Sequence, residues 1–375
     1  MGHVLEPLLH DLAERFRFLE EELGRMTVPP EAEASRKRIH QIAARAKKRV
    51  DAVLADPDVS RPDFAKNFYH TYKRLSELAQ AIDEGPLFAL SRFRAEDRFL
   101  THVVGEACRE FHYPDEPPIC AAMSSQYYCA MMEMNLILVP HGEATHLLGW
   151  ADLYHELAHF LVSRNESTIL KPLMDLVEGH FAKAIDEATR LGWSPDAIEE
   201  LRLFRSLWLG DWIVEFACDL LATFATRLSF AWCNLRLCAR MSTDVFGTVR
   251  SHPADAARTR AILEMLALVS DGKDQEFVED RWMELVSTIG AVEPQSFEIA
   301  YPRPLLRDLA KQAKQSFETL GLKSYTSKED HLGDLLHEAW KHFQSHPESY
   351  ADWERTKIGE LRAKFGLEAQ SPESR

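Results

Sequence analysis

The segment LYHELAHFLV brings His155, Glu156 and His159 together in the order H-E-x-x-H. On a helix, residues four apart project from one face a turn apart, so two imidazoles at this spacing can reach a single Zn²⁺ about 2 Å away. Glu156 stands beside them as a carboxylate free to do something other than bind. Next to a metal it can take a proton from a water whose pKa the ion has lowered towards about 7, which is the machinery for hydrolysing an amide. Chance alone yields this pattern roughly 0.06 times in a chain of this composition. Its surroundings strengthen it. Leu153, Tyr154, Leu157, Ala158, Phe160, Leu161 and Val162 make the helix apolar nearly all round, as in a buried helix. Buried His, Glu and His need a partner, and a metal supplies one.

A catalytic zinc takes three protein ligands and keeps one position open, so a third ligand must come from elsewhere. After His159 the chain reads FLVSRNE, without the glycine and third histidine of the metzincin pattern. The better source is GDWIVEFACDLLATFAT, where Asp211, Glu215 and Asp219 recur every four residues in an otherwise apolar run. One carboxylate stripe on a core helix is expensive unless it is paired. Glu215 as zinc ligand, with Asp219 accepting the second N–H of a ligating histidine, satisfies both acids. The alternative is a helix capped by Asp211 with its acids paired to arginines such as Arg202 or Arg205.

H-E-x-x-H followed by E-x-x-x-D on a second helix resembles the gluzincin clan of zinc metallopeptidases. Glu215 follows His159 by 56 residues, an interval more similar to the HtpX-type branch than to thermolysin. RSHPADAARTRAILEML, residues 250 to 266, resembles that branch's H-P segment. The resemblance covers roughly residues 119 to 266 and implies catalytic roles for His252 and Arg258, which would polarise the scissile carbonyl and stabilise the oxyanion. It also implies an extended substrate lying along an edge strand just upstream of the zinc helix. The candidate strands are 126 to 131 and 135 to 139. Membrane helices, which flank the site in the HtpX-type branch, have no counterpart here.

The reading is therefore a zinc-dependent peptidase with one Zn²⁺ on His155, His159 and Glu215, Glu156 as general base and a peptide or protein as substrate. Two other classes stay open: a metal-binding scaffold that acts through protein interactions, and a zinc hydrolase of a smaller amide. An adjacent base argues against the scaffold, since a purely structural site is closed by a fourth protein ligand.

These residues must be positioned by helices. Gly 16 and Pro 18 in 375 residues leave few turns for many short strands. Apolar residues at steps of three and four predict helices over 5–24, 34–54, 62–83, 95–111, 150–163, 172–191, 196–228, 254–270, 273–289, 304–320, 329–345 and 351–365. Only 119–139 reads as β, a small hairpin or sheet. The fold class is mainly α with a small β element (α+β). It divides into an N-terminal helical region (1–115), a zincin-like core (116–270) and a C-terminal helical region (271–375).

Lys and Arg number 44 against 59 Asp and Glu, a net charge of −15, which argues against nucleic acid or anionic lipid as the partner. The basic second helix, 34–54, is expected to meet the acids of the first in an antiparallel hairpin. The six cysteines lack C-x-x-C spacing and lie in apolar surroundings, as in a reduced, cytoplasmic protein. Neither a secretory leader nor a membrane-inserted helix is expected, because acids and bases interrupt every apolar stretch.

Overall fold

Leu5, Leu9, Leu12, Phe16, Leu19 and Leu23 line one face of the first helix and are all at most 5% exposed, so the periodicity read from the sequence is the buried stripe of α1 (Gly2–Arg25). In this computed structural model, residues 2–59, 61, 63–124, 127–241, 244–328 and 331–367 are described. Pro30 opens α2 (Pro30–Leu54), its missing N–H costing nothing at a helix start. Ile39, Ala43, Ala46 and Val50 of α2 pack against α1. The expected hairpin forms, but its charges are met mostly within each helix. Arg17 pairs with Glu14 and Glu21, Arg36 and Lys37 with Glu33, and Lys47 with Asp51. Spacings of three and four residues make such local pairs easy to form.

The chain forms two compact units. The first contains α1, α2, α3 (Ala65–Ile82), α4 (Phe88–Ser91), the start of α5 (Ala95–Glu110) and most of the β element. Strands β1 (Ile119–Ser124), β2 (Cys129–Met131) and β3 (Leu136–Pro140) lie in the order β1-β3-β2. Strands β1 and β3 are parallel, with Ile119 opposite Leu136 and Ala121 opposite Leu138. This is a sheet and not a hairpin. The stretch between β1 and β3 is long enough to return the chain in the same direction. The outer edge of β1 is closed by α5. Asp97 Oδ1 accepts the Ala122 N–H at 2.7 Å, and Thr101 Oγ1 accepts the Cys120 N–H at 3.0 Å.

The second unit runs from the end of α5 through residues 128–130 and then from Gly142 onwards. It contains α6 (Asp152–Arg164), α7 (Leu170–Arg190), α8 (Pro195–Leu207), α9 (Ile213–Thr226) and α10 (Leu228–Met241). These are followed by α11 (Asp255–Val269), α12 (Gly272–Ile289), α13 (Phe297–Ala300), α14 (Arg303–Thr319), α15 (Leu332–Ser345) and α16 (Tyr350–Lys364). Helix α9 packs against α6, α11 and α14. Residues after 270 thus share a core with the H-E-x-x-H helix, and the three consecutive regions expected from the sequence are not the units of packing.

The single helix expected over 196–228 is two. Gly210 leaves helical geometry at ψ −119°, and the kink separates α8 from α9. Arg227, at φ +49°, then ends α9 and lets α10 start at once. Among the described residues no helix is long and apolar enough to cross a membrane.

The approach to α6 is held from two sides. Glu143, 5% exposed, accepts from Arg236 at 3.1 Å and Arg240 at 2.7 Å, both on α10. Its main-chain oxygen accepts the Trp150 indole N–H at 3.2 Å. Glu354 of α16 accepts the Leu147 N–H at 2.7 Å. Burial alone would push the Glu143 carboxyl up, but the two guanidinium groups outweigh it and hold it below 4.5. Stability from this depressed pKa is therefore complete above about pH 4.5 and is lost as the pH falls through the folded value. Glu143→Gln should lower unfolding stability in urea by about 2 kcal/mol at pH 7, a value reduced for the partly exposed Arg240. Its deficit relative to the wild type should shrink on acidification below about pH 4; a deficit unchanged with pH would show that the charge is not what matters.

Candidate metal centre

Helix α6 is buried along almost its whole length, His155 and Glu156 included. His155 and His159 stand one turn apart with ring centroids at 5.0 Å. Phe230 of α10 stacks on His155 at 6.1 Å, which fixes the plane of the ring. Helix α9 lies against α6 and brings Glu215 and Asp219 to the same place. Glu215 Oε2 is 3.5 Å from His155 Nε2, and its Oε1 is 3.8 Å from His159 Nε2. Donors on a tetrahedral ion with bonds near 2.0–2.1 Å stand about 3.4 Å apart, and the two distances from Glu215 to the imidazoles are within about half an ångström of that separation.

Asp219 is fully buried. It accepts from Arg258 Nε and Nη2, both at 2.7 Å, and its Oδ1 lies 2.9 Å from His155 Nδ1. That last contact is short, although its alignment falls short of a regular hydrogen bond. The structure thus brings Asp219 beside His155, the residue the sequence reading paired it with. Arg258, to which the resemblance gave a role at the substrate carbonyl, directs Nε and Nη2 to Asp219 and so orients that carboxylate. His252 stands at the rim, its side chain 54% exposed, with Nε2 3.9 Å from Glu215 Oε2 and Nδ1 2.9 Å from Ser251 Oγ.

Asp211 does not join the stripe. It sits exposed in the kink before α9, because Gly210 breaks the helical register that would have aligned it. Arg202 and Arg205 pair with Glu199 and Glu178 and leave the two buried acids alone.

The electrostatics show what the cluster lacks. Two carboxylates, the largely covered Glu215 and the fully buried Asp219, face the single guanidinium of Arg258. Burial disfavours charge on His155, yet Asp219 and Glu215 outweigh it and raise the imidazole pKa to about 10. Burial and the charge on His155 together lower His159 to about 4, leaving it a neutral donor. Burial pushes Glu215 up, but His155 and Arg258 bring it well below the usual carboxylate range. The negative charge of the two carboxylates thus favours positive charge at this place. Its donor set, two imidazoles and a carboxylate, is the set that zinc takes.

Glu156 is 7% exposed, and burial raises its carboxyl to about 7; Asp152 and Glu215 add to the rise, while His155 and the Ala130 N–H oppose it. A carboxyl held near neutrality can both accept and donate a proton at physiological pH.

Sequence reasoning passed over one residue. Cys218 Sγ lies with donor atoms of His155 and His159 in a group within 4.8 Å of one another. The signal was available, since Cys218 is three residues after Glu215 on the same helix. Burial and the neighbouring carboxylates push its thiol well above the usual value, so it holds its proton. Glu215, held ionised, differs from it in chemistry: a carboxylate ready to bind against a thiol that must first lose its proton.

No family model matches the chain, and no curated protein or solved structure is significantly similar to it.

Competitive chelator titration should give one zinc per chain. Glu215→Ala should weaken it by about 100-fold or more, Asp219→Asn by about 10- to 100-fold, and Cys218→Ser hardly at all. Loss of zinc in Cys218→Ser with retention in Glu215→Ala would replace the carboxylate by the thiol in the ligand set.

Proposed function

We propose that this protein is a zinc-dependent metallopeptidase. The observation that carries the reading is the convergence of His155 and His159 from α6 with Glu215 from α9, beside a buried Glu156 whose pKa is about 7. Zinc, when bound, would polarise the substrate carbonyl and make water acidic enough to be deprotonated near neutral pH. Glu156 takes the proton of the attacking water and returns it to the leaving nitrogen, a transfer for which a pKa near the working pH is best suited. His252 Nε2, facing the centre from the rim, donates to the carbonyl oxygen as charge builds on it. Arg258 acts at one remove, by keeping Asp219 charged and aimed at His155.

Of the two expected candidates for the edge strand, 135–139 falls out, because β3 is the middle strand of the sheet. The other, 126–131, is reduced to β2, since residue 126 lies outside the described residues. Glu156 accepts the Ala130 N–H of β2, which sets this edge beside the general base. An extended peptide pairing there would present its carbonyl to the centre. The substrate is accordingly a peptide or protein segment able to lie extended. Nucleic acid is not an expected partner for so acidic a chain. Six cysteines without disulfides, five of them buried, suit the reducing cytoplasm.

Glu156→Gln should keep its zinc and lose about 10²- to 10⁴-fold in the rate of cleavage of a mixed peptide library. His252→Ala should lose about 10²-fold in kcat, also with zinc retained. A zinc-loaded wild type that cleaves no peptide would move the reading to the scaffold class. Cleavage of small amides alone would move it to a hydrolase of smaller substrates.

A further inference from the structure

His252 stands half exposed at the rim of the metal centre, 3.9 Å from Glu215, and a side chain so placed has several rotamers open to it. What can keep it on the centre is its backbone, and that backbone is pinned on both sides of the residue. Before it, the Val249 carbonyl accepts the Trp212 indole N–H at 3.0 Å. After it, the Ala254 N–H donates to the Tyr301 hydroxyl at 3.0 Å. Between the two anchors the Val249 N–H donates to the His252 carbonyl at 3.3 Å and closes the turn. Residues 247–252 are all exposed, so their own side chains supply little of the packing that sets its course.

Both anchors belong to one aromatic block. Trp212 and Tyr301 are fully buried, and their rings stack with centroids 5.0 Å apart. Phe297 meets Tyr301 at 5.0 Å and Phe246 at 5.1 Å, and the Ala256 N–H donates to the Val245 carbonyl at 2.8 Å. The two ends of the loop are therefore tied to the same block. Trp212 also closes the kink at Gly210 and stands immediately before α9, whose first turn carries Glu215. A buried indole N–H needs an acceptor, and this one finds it in the turn that bears His252. One side chain thus sets the rim histidine in register with the metal ligand.

We propose that Trp212 is a positioning residue for His252: its indole N–H, together with the Tyr301 hydroxyl, holds the 249–254 turn so that the imidazole stays aimed at the centre. What His252 does there rests on the metallopeptidase reading. A donor to the oxyanion helps only if it is in place as charge builds, and a misplacement of about 1 Å can cost about 10²-fold.

Two substitutions test this. Trp212→Phe removes the donor and keeps a ring in the stack. Tyr301→Phe removes only a hydroxyl and decides the matter if the first variant folds poorly. Each should keep zinc affinity and KM and lose about tenfold in kcat, less than the about 10²-fold expected of His252→Ala. In the His252→Ala background each should cost nothing further, a non-additivity that a general loss of packing would not give. A second readout is independent of turnover: ¹³C relaxation of the histidine rings in the full chain as purified, with His252 identified by its absence in His252→Ala. The His252 ring should be ordered in the wild type and mobile in both variants. A wild type that cleaves no peptide removes the metallopeptidase reading and leaves the positioning to be decided by the ring. The inference is overturned if the ring is equally ordered in wild type and variants, if kcat falls further in the His252→Ala background, or if zinc is weakened as in Glu215→Ala.

Discussion

Asp219 carries a charge with none of its surface exposed, and three helices are tied together by the way that charge is met. A carboxylate transferred alone to a protein interior costs several kcal/mol even after relaxation. The cost is offset by a bidentate guanidinium from α11 and by an imidazole from α6, at 2.7 and 2.9 Å. Remove either partner and the other helices keep an uncompensated ion. The geometry of His155, the spacing of α6 from α9 and the entry of α11 are thus set by one electrostatic constraint. Glu215, one turn earlier on α9, inherits the same frame. It is brought to the two imidazoles because Asp219 has already fixed the helix that carries it.

That dependence explains which parts could be read from the sequence. The histidine pair, Glu156 and the acids of α9 are separated by helical spacings, and such spacings carry over directly into geometry once a helix forms. The buried stripes of α1, α2 and α6 were legible for the same reason. What failed depended on a single backbone torsion or on a long-range partner. Gly210 looked like an ordinary residue within an apolar helix, and its ψ removed Asp211 from the site. Arg227 gave no sign of a positive φ, so α10, and with it Phe230 behind His155, went unforeseen. The pairing of Arg258 with Asp219 was not legible, because a sequence does not say which acceptor a guanidinium will find. The parallel pairing of β1 with β3 was hidden because period-2 patterning does not specify strand direction.

The charge of the chain also looks different once the structure is considered. Glu143, Glu215 and Asp219 all lie in the second unit with arginines or imidazoles against them, so part of the acidic excess is internal and structural. What remains at the centre is an imidazole, His155, on which two carboxylates outweigh the effect of burial and favour charge.

The account rests on zinc bound by two imidazoles and a carboxylate, and X-ray absorption spectroscopy of the zinc-loaded protein tests that most directly. It predicts a single zinc with nitrogen and oxygen donors at about 2.0–2.2 Å and no sulfur in the first coordination sphere. A sulfur scatterer at about 2.3 Å would put Cys218 in place of Glu215, and a zinc with only water-like oxygens would contradict the centre altogether.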